Sequence, residues 1–256
     1  MFNTDNFYLC REILKTMAIP YKDSSKGKKG QIIDMFNNIA FKYDFLNHAL
    51  SLNIDKIWRN KAIKALKPLN PKKILDVATG TGDFAILSAK KLQVEKIVGI
   101  DISDGMLAVG KEKIQKMDLQ SLVDLQLGDS EALTFENEFF DAITVGFGVR
   151  NFENLEKGMQ EMYRVLKPNG VAAILEFSMP ECFPVKQLYT FYFKHILPTI
   201  GKIFSKDYDA YYYLFNSVQE FPYGQKFAAI AERVGFQNTK IVSLSFGIAS
   251  LYICTK

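Results

Sequence analysis

A chain of 256 residues that is 48% hydrophobic can bury one sizeable core, and it lies near the upper size at which one core suffices. Its 32 basic and 28 acidic residues leave a formal net charge of only +4, which argues against nucleic acid as a partner. The three cysteines lie far apart and there are only two histidines, so we expect neither a disulfide framework nor a metal site.

The chain is predicted to begin with a polar tail. Asp5, Arg11 and Glu12 interrupt any apolar run long enough for a signal peptide, and no stretch reaches the roughly 18 apolar residues that span a bilayer. The lysine-rich and glycine-containing segment KDSSKGKKG at residues 22–30 predicts a mobile, disordered tail over residues 1–30, although its lysines could instead contact anionic lipid. We therefore expect a cytoplasmic protein whose membrane contact, where it occurs, is peripheral and at the inner face.

Residues 31–256 are predicted to form a single domain that begins with a helical preface over residues 31–70. The apolar side chains that share one helical face there are Ile32, Met35, Phe36, Ile39 and Ala40. From residue 71 to residue 178, short apolar runs alternate with amphipathic helices, which is typical of a doubly wound, Rossmann-like α/β sheet. The predicted strands are residues 73–78, 96–101, 123–128, 141–147 and 171–177. The predicted helices are residues 84–92, 105–117 and 155–166, with a turn at Pro168-Asn169-Gly170 before the fifth strand.

The alternation stops after Ser178, where an aromatic-rich helical insertion is predicted. Residues 177–227 hold 15 of the chain's 21 Phe and 12 Tyr residues. Aromatic residues at helical spacing usually pack into a core, so the insertion at residues 179–225 is interpreted either as ordinary packing or as a cap over an apolar substrate. The closing segment, residues 226–256, is predicted to contain most of a helix at residues 225–234 and strands at 239–244 and 248–255.

The exits of the first two strands together predict a site for an adenosine-containing cofactor. Ligands of such sheets bind beyond the carboxyl ends of the strands. The first strand runs into Gly80-Thr81-Gly82, whose glycines permit a tight turn and a close approach of backbone to ligand. The second strand ends at Asp101, about 20 residues further on, where a carboxylate can accept hydrogen bonds from ribose hydroxyls. A glycine turn with a helix-capping acid nearby is the structural alternative.

Charge distinguishes between two cofactor classes that use this arrangement. The spacing of Gly80, Gly82 and Ala85 formally matches a nicotinamide dinucleotide loop, but Asp76 and Asp83 on either side of it would repel a pyrophosphate. S-adenosyl-L-methionine has no phosphate, and its ammonium and sulfonium groups favour acidic surroundings. The loop therefore favours S-adenosyl-L-methionine, with a nicotinamide oxidoreductase as an alternative.

The exits of the third and fourth strands carry further polar residues. Asp129 and Ser130 follow the third strand, where they could hydrogen-bond an adenine edge or simply cap a helix. The fourth exit has the sequence GFGVRN at residues 146–151, a glycine-flanked turn that is expected to present Arg150 and Asn151 above the cofactor pocket. An ordinary surface arginine is the alternative there.

Five longer motifs follow one another along residues 31–256. They are MFNNIAFKYDFLNHALSLNIDKIWR (35–59), DVATGTGD (76–83), GFGVRN (146–151), RVLKPNG followed by LEFS (164–178) and YYYLFNSVQEFP (211–222). Together they resemble the ubiquinone/menaquinone biosynthesis C-methyltransferase family. The chain departs from the family at Asn53 and Asn169, where glycine is usual, and neither position belongs to the expected chemistry.

The resemblance implies a class I methyltransferase that moves a methyl group from S-adenosyl-L-methionine to a ring carbon of a polyprenyl hydroquinol. The cofactor contacts that it implies are Thr81, Asp101, Asp129 and Ser130. It also implies that Arg150 and Asn151 lie at the methyl-transfer centre. Demethylmenaquinol is the expected acceptor, and the alternatives are a ubiquinone-type benzoquinol or another small aromatic or lipid molecule. A noncatalytic subunit of a quinone-synthesis complex is disfavoured by the intact Arg150-Asn151 pair.

The chemistry of carbon methylation adds an expectation about the acceptor. The ring carbon must be electron-rich, so the substrate should be the reduced hydroquinol, activated as its phenolate. Arg150 is expected to favour the phenolate and Asn151 to orient an oxygen. The general base stays open among Tyr43, Asp44, His195, Asp209 and a relayed water. The insertion and the lysine-rich tail are compatible with transient contact at a membrane surface, and the sequence leaves open whether the chain forms a homo-oligomer.

Overall fold

The computed structural model describes residues 18–21, 24–51, 53–192 and 208–256. Its helices are α1 (Lys28–Leu50), α2 (Ile54–Leu66), α3 (Asp83–Lys91), α4 (Asp104–Lys116), α5 (Leu155–Val165), α6 (Val185–Phe191), α7 (Tyr208–Glu220) and α8 (Gln225–Arg233). Its strands are β1 (Lys73–Val77), β2 (Lys96–Asp101), β3 (Val123–Leu127), β4 (Phe140–Gly146), β5 (Leu166–Phe177), β6 (Gln237–Leu244) and β7 (Ala249–Thr255). Short 3₁₀ turns lie at Lys67–Leu69, Val149–Asn151 and Ser245–Gly247.

The strands of the described chain form one seven-stranded sheet in the order β3-β2-β1-β4-β5-β7-β6. Strands β1 to β5 pair in parallel, and β7 lies antiparallel between β5 and β6. The direction of winding reverses between β1 and β4, which creates the crevice where such sheets bind ligands. The predicted doubly wound, Rossmann-like fold is confirmed, and the two C-terminal strands add an antiparallel edge to it.

Apolar layers cover both faces of this sheet, as parallel sheets require. On one face, α5 and α8 contribute to a cluster that includes Phe140, Met159, Met162, Phe227 and Tyr252. On the other, α2, α3 and α4 contribute to a cluster that includes Trp58, Leu66, Phe84, Leu107 and Ile114. The sheet is therefore held rigidly between two cores, and the strand exits are presented at a fixed edge.

Two asparagines with positive φ explain where the helical preface and the fifth strand depart from the sequence prediction. Asn53 has φ 60° and separates α1 from α2, so the preface consists of two helices. Asn169 has φ 62°, and the predicted turn at residues 168–170 lies within β5 beside a register shift of its pairing with β4. Strand β5 accordingly begins at Leu166, directly after α5, and not at residue 171.

The prediction of a mobile segment at residues 22–30 is wrong for its last three residues. Helix α1 begins at Lys28, because the side chains around its first turn have partners in the fold. The Lys28 ammonium donates to the Phe152 carbonyl at 2.8 Å, and the Gln31 side chain both accepts from the Tyr21 N–H and donates to a carbonyl of the preceding loop. Residues 1–17 of the predicted tail lie outside the described residues.

The aromatic-rich insertion contains α6 and α7, and residues 193–207 between them lie outside the described residues. The closing helix and strands lie within two residues of their predicted limits. In the part of the chain that is described, no helix combines the length and the apolar character needed to cross a bilayer.

Candidate functional site

The glycine loop between β1 and α3 forms the floor of a cleft at the point where the winding reverses. Gly80 and Gly82 have φ values of 56° and 80°, in the left-handed region that favours glycine. The Gly80 N–H donates to a carboxylate oxygen of Asp101 at 2.8 Å, which ties the loop to the end of β2. The two strand exits that the sequence singled out are therefore brought together.

The cleft brings together most of the residues that the sequence assigned to the cofactor. The polar part of its lining, here called the polar wall, includes Gly80, Asp101, Ile102, Met106, Asp129 and Ser130. The mainly aromatic part, here called the aromatic wall, includes Phe36, Tyr43, Phe147 and Asn151. The polar wall carries carboxylates, a hydroxyl and apolar side chains, and the aromatic wall adds an amide to its rings.

Asp101 is held in one orientation at the cleft wall. Its second carboxylate oxygen accepts from the Ser103 N–H at 2.9 Å. Burial raises the pKa of Asp101 above its usual value, and hydrogen bonds from the backbone N–H groups of Ser103, Gly80 and Ile102 oppose that shift. Each carboxylate oxygen has a second lone pair, so Asp101 keeps the capacity to accept from hydroxyl groups in the cleft.

The Asp129 carboxylate is paired with a lysine that sequence reasoning missed. The Lys29 ammonium on α1 lies 2.8 Å from Asp129, 3.5 Å from Glu131 and 3.9 Å from Glu153. Partial burial alone would raise the pKa of Asp129, but the hydrogen bond and charge of Lys29 contribute to a pKa below its usual value. The KKG segment at residues 28–30 was the only sequence signal for Lys29, and it was interpreted as part of the tail.

Thr81 and Gly82 are not among the residues that line the cleft, and the expected contact of Thr81 with the cofactor stays a prediction. The Thr81 hydroxyl is buried, donates to Asp44 and accepts from the Lys113 ammonium at 3.2 Å. Lys113 also lies 2.7 Å from Asp44 and 2.6 Å from Asp83. This network joins α1, α3 and α4 beneath the loop.

Asp76 and Asp83, the two acids that the sequence placed on either side of the loop, are not among the lining residues. Asp76 is only 1% exposed, and its oxygens accept from two threonine hydroxyls and a backbone N–H. Burial raises its pKa to about 6. Asp83 pairs with Lys113 and approaches Arg59 at 3.6 Å. Neither carboxylate lines the cleft, so its acidic character comes from Asp101 and from Asp129, Glu131 and Glu153 around Lys29.

The Arg150 side chain is only 6% exposed and is not among the residues that line the cleft, so its expected role at the methyl-transfer centre stays a prediction. Its guanidinium forms a 2.8 Å ion pair with Glu176, which is fully buried, and also donates to the Phe147 carbonyl. The guanidinium carbon lies 5.5 Å from the ring centre of Phe177. Burial alone would lower the pKa of Arg150, but the interactions with Glu176, Tyr43 and Tyr213 together raise it above its usual value. The pair fixes the turn that carries Asn151.

Asn151, in contrast, lines the cleft. Its side-chain oxygen accepts a 2.9 Å hydrogen bond from the hydroxyl of Tyr213 on α7. Tyr213 belongs to the aromatic run and to the motif YYYLFNSVQEFP (211–222), but the sequence assigned it no role. Its helical neighbours have the same composition, so nothing in the sequence distinguished it.

The candidates for a general base are not equivalent in the structure. Tyr43 lines the cleft, with its ring 5.9 Å from that of Phe36 in an edge-on arrangement. Asp44 points away from the cleft into the network with Lys113 and Thr81. His195 and the side chain of Asp209 lie outside the described residues.

The residues of the cleft fit S-adenosyl-L-methionine better than a dinucleotide. Asp101 suits ribose hydroxyls, and Ile102 and Met106 provide apolar surface beside it for an adenine ring. Lys29 is the one basic side chain among the described lining residues, and three carboxylates surround it. A pyrophosphate would therefore find no uncompensated positive side chain in this lining.

Comparisons with known proteins agree with this arrangement. A model of the ubiE/COQ5 methyltransferase family matches residues 23–256. The chain is 51% identical over 237 residues to a demethylmenaquinone methyltransferase of Bacteroides fragilis, covering 93% of this chain and 96% of that protein. It is 41% identical over 251 residues to a ubiquinone/menaquinone biosynthesis C-methyltransferase UbiE of Geobacter sulfurreducens, covering 98% and 96%.

Solved structures add support for the fold. A putative S-adenosyl-L-methionine-dependent methyltransferase from Methanococcus maripaludis has a TM-score of 0.63 at 17% identity, and the match covers 92% of this chain and 97% of that one. A SAM-dependent methyltransferase from Aquifex aeolicus has a TM-score of 0.54 at 19% identity, covering 77% and 88%. At these identities the similarity concerns the fold alone.

Proposed function

This chain belongs to the ubiE/COQ5 methyltransferase family, and we propose that it methylates a ring carbon of demethylmenaquinol in menaquinone biosynthesis. It is a methyltransferase, and its methyl donor is S-adenosyl-L-methionine. The observation that carries the choice of acceptor is the 51% identity to a demethylmenaquinone methyltransferase across nearly the whole of both chains. The cleft supports the choice of donor, because carboxylates suited to ribose and amine groups and aromatic side chains line one cavity at the switch point of the sheet.

We propose that residues of the polar wall contact the donor. Asp101 accepts from the ribose hydroxyls, and Asp129 and Ser130 contact the adenine edge. Gly80 and Gly82 give the loop the left-handed turns that let its backbone approach the ligand. When bound, S-adenosyl-L-methionine supplies an electrophilic methyl group on its sulfonium.

We propose that the acceptor ring binds at the aromatic wall. Tyr43 and Phe147 provide a surface for the ring. The Asn151 amide donates a hydrogen bond that stabilises the phenolate, and the negative charge of the phenolate makes the ring carbon electron-rich. The Glu176 carboxylate already balances the charge of Arg150, so Arg150 acts mainly by holding the turn that carries Asn151. Orientation of two reactants in one cleft supplies much of the rate in such a step.

A methyl-transfer assay with two reduced quinols tests this function. We expect labelled methyl from S-adenosyl-L-methionine to appear on the ring of demethylmenaquinol, identified by mass spectrometry of the product. The oxidised quinone serves as the control and should accept no label, because its ring is electron-poor. Faster labelling of a ubiquinone-type benzoquinol would replace the proposed acceptor, and labelling of neither quinol would refute the function.

The role of Asp101 in donor binding is tested separately by calorimetry. Asp101→Asn removes the charge from the hydrogen bonds to ribose, which are worth about 1.5–3 kcal/mol when charge-assisted. We therefore expect S-adenosyl-L-methionine to bind at least about tenfold more weakly. Asp104→Asn, at an exposed position three residues along, is the matched control and should bind normally. Equal affinities of the two variants would remove Asp101 from the binding site.

We also propose a transient, peripheral contact with the inner face of the cytoplasmic membrane, since a polyprenyl hydroquinol resides in the bilayer. The insertion and the turn at Ser245–Gly247 expose large apolar side chains, namely Phe183, Leu188, Phe191 and Phe246. The Cys182 thiol, next to Phe183, lies 3.8 Å from the Phe246 carbonyl, so the two segments adjoin. Exposed apolar patches of this kind bind interfaces.

Sedimentation with vesicles tests that contact. Replacing Phe183 and Phe246 with serine should lower the fraction bound to anionic vesicles. Phe41→Ser is the control, because Phe41 is 89% exposed but lies on α1. Equal binding of the control and the double variant would argue against this surface.

A further inference from the structure

Tyr213 connects the helical insertion to the Asn151 amide of the aromatic wall. We propose that Tyr213 is a positioning residue for methyl transfer, which holds the Asn151 amide with its N–H groups toward the acceptor oxygen. This inference rests on the proposed function. It adds a role for α7 that the packing of an aromatic helix would not by itself require.

The hydrogen bond between the two side chains sets the direction of the amide. The Tyr213 hydroxyl donates to Oδ1 of Asn151 at 2.9 Å, so the amide oxygen is engaged by α7. Among the described residues, Nδ2 of Asn151 has no hydrogen-bond partner, while Asn151 itself lines the cleft. The two N–H donors are therefore left for a ligand.

The Tyr213 ring is fixed well enough to hold that bond. It is only 2% exposed and packs in a buried cluster with Ile32 and Met35 on α1. The Tyr213 side chain thus connects three elements, namely α1, α7 and the turn at Val149–Asn151. A hydroxyl held in this way restrains the amide before the acceptor binds.

Tyr213 serves as a donor and not as a base. Burial raises the pKa of its phenol well above the usual value, and Arg150 opposes that shift only in part. The phenol therefore keeps its proton across the physiological range. Without its hydroxyl, the Asn151 amide could turn and present its oxygen to the phenolate, where two negative atoms would repel each other.

A double-mutant cycle tests the inference. Tyr213→Phe should lower kcat by about tenfold or more at saturating donor, because the amide loses its fixed orientation. Its affinity for S-adenosyl-L-methionine should stay within about twofold of the wild type, since the phenol is bonded to Asn151 and not to the polar wall. In an Asn151→Ala background, Tyr213→Phe should have no further effect on kcat. If Tyr213→Phe lowered kcat by the same factor in the Asn151→Ala background as in the wild type, the proposal would be overturned.

Tyr252→Phe is the matched control. Tyr252 is also buried, and its hydroxyl accepts from the Gly224 N–H in the closing segment of the chain. This variant loses one buried hydroxyl as Tyr213→Phe does, so it should lower the thermal midpoint while kcat stays near the wild-type value. A loss of kcat equal to that of Tyr213→Phe would mean that any buried hydroxyl has this effect, and the proposal would fail.

A readout without the acceptor separates this inference from the proposed function. Nuclear magnetic resonance relaxation of the Asn151 side-chain amide, identified by its disappearance in Asn151→Ala, should show greater mobility in Tyr213→Phe than in the wild type. Unchanged mobility would overturn the positioning role even if the enzyme methylates demethylmenaquinol. Increased mobility in an enzyme that does not methylate the quinol would support the positioning role and refute only the function.

Discussion

Individual buried charges determine how the turn at Val149–Asn151 is held. Glu176 is fully buried at the end of β5, and its partner Arg150 lies 26 residues earlier in the chain. A buried carboxylate without a partner loses its hydration and gains nothing in return. The pair is therefore expected to matter more for stability than for direct contact with the acceptor.

Truncation of one partner tests this expectation. Arg150→Ala leaves the Glu176 carboxylate buried and uncompensated, and we expect the free energy of unfolding to fall by about 3–5 kcal/mol in urea denaturation. Arg233→Ala is the matched control, because Arg233 pairs with Glu156 at 3.7 Å on the surface, with side chains 59% and 47% exposed. Removing that exposed pair should change stability by less than about 1 kcal/mol. Similar losses for both variants would contradict the burial argument.

Asp76 predicts a dependence of stability on pH. Its pKa is about 6 in the folded protein and 3.8 for an ordinary aspartate, because burial disfavours the charged form. The folded state therefore retains a proton that the unfolded state has lost between these pH values. Its contribution to stability is fully present below about pH 3.8 and is lost as pH rises through about 6, a change of up to about 3 kcal/mol.

Asp76→Asn isolates this contribution. The amide oxygen can accept from Thr79 and the Ala85 N–H, and the amide nitrogen can donate to the Thr144 hydroxyl, so the variant keeps the hydrogen bonds without the titration. Measured by urea denaturation from about pH 4 to pH 6, the wild type should lose stability relative to the variant. Parallel stability curves for the two proteins would show that Asp76 does not retain the extra proton.

The sequence predicted the positions of the site residues better than the directions of their side chains. Asp101 and Asn151 line the cleft because strand exits in a parallel sheet converge, and that follows from the pattern of strands. Thr81 and Asp76 lie at the same exits but turn inward to Asp44 and Thr144, partners that are 37 and 68 residues away. Such distant pairings depend on tertiary packing, which no local motif encodes.

At the scale of elements, the strands were predictable and some of the breaks were not. Strands β1, β2 and β4 are short runs of buried apolar residues, which is the pattern of a parallel sheet covered on both faces. The break between α1 and α2 was missed because Asn53 was taken as a neutral departure from glycine. Its φ of 60° shows that the position requires a residue that tolerates the left-handed region, as glycine and asparagine do.

The start of α1 was missed for a different reason. A lysine-rich segment is usually solvated, but here Lys29 is surrounded by Asp129, Glu131 and Glu153, and Lys28 bonds to the backbone of the 3₁₀ turn region. The hydrogen-bond partners of these lysines follow β3 and β4, about a hundred residues later. The first turn of α1 is therefore stabilised by the rest of the fold and not by its own composition.

Hydrogen exchange can test that dependence. Lys29→Met removes the ammonium between three carboxylates, so the amides of residues 28–36 should exchange faster than in the wild type. Lys26→Met is the control, because Lys26 pairs with Asp34 at the surface, with side chains 57% and 42% exposed, and its loss should leave exchange in α1 nearly unchanged. If both variants exchange alike, the three carboxylates do not anchor the helix.

At the scale of the whole molecule, the preface and the sheet are connected through polar contacts as well as apolar ones. The side-chain oxygen of Asn37 on α1 accepts from the Ser103 hydroxyl at 2.7 Å and from the Gly105 N–H at 2.9 Å. Asp44 on the same helix reaches Lys113 and Thr81 beneath the glycine loop. Helix α1 thus contacts α4 and the cofactor cleft at once, and we expect the preface to unfold together with the sheet.

The single tryptophan allows a direct test of that cooperativity. Trp58 lies on α2, packs against Phe147 and Phe177, and donates to the Ser245 hydroxyl at 3.0 Å, so its fluorescence reports on the contact between preface and sheet. Far-ultraviolet circular dichroism reports on the helices and strands of the whole chain. The two signals should give the same urea midpoint, because a single domain unfolds in one transition.

The methyl donor should then shift both signals equally. Binding only to the folded state adds about 2.7 kcal/mol to the free energy of unfolding at a donor concentration one hundred times its Kd. Because the cleft is lined by α1 as well as by the strand exits, that free energy should stabilise the preface and the sheet to the same extent. A fluorescence midpoint that precedes the dichroism midpoint, or that does not move with the donor, would show that the preface is a separate unit which the cofactor does not stabilise.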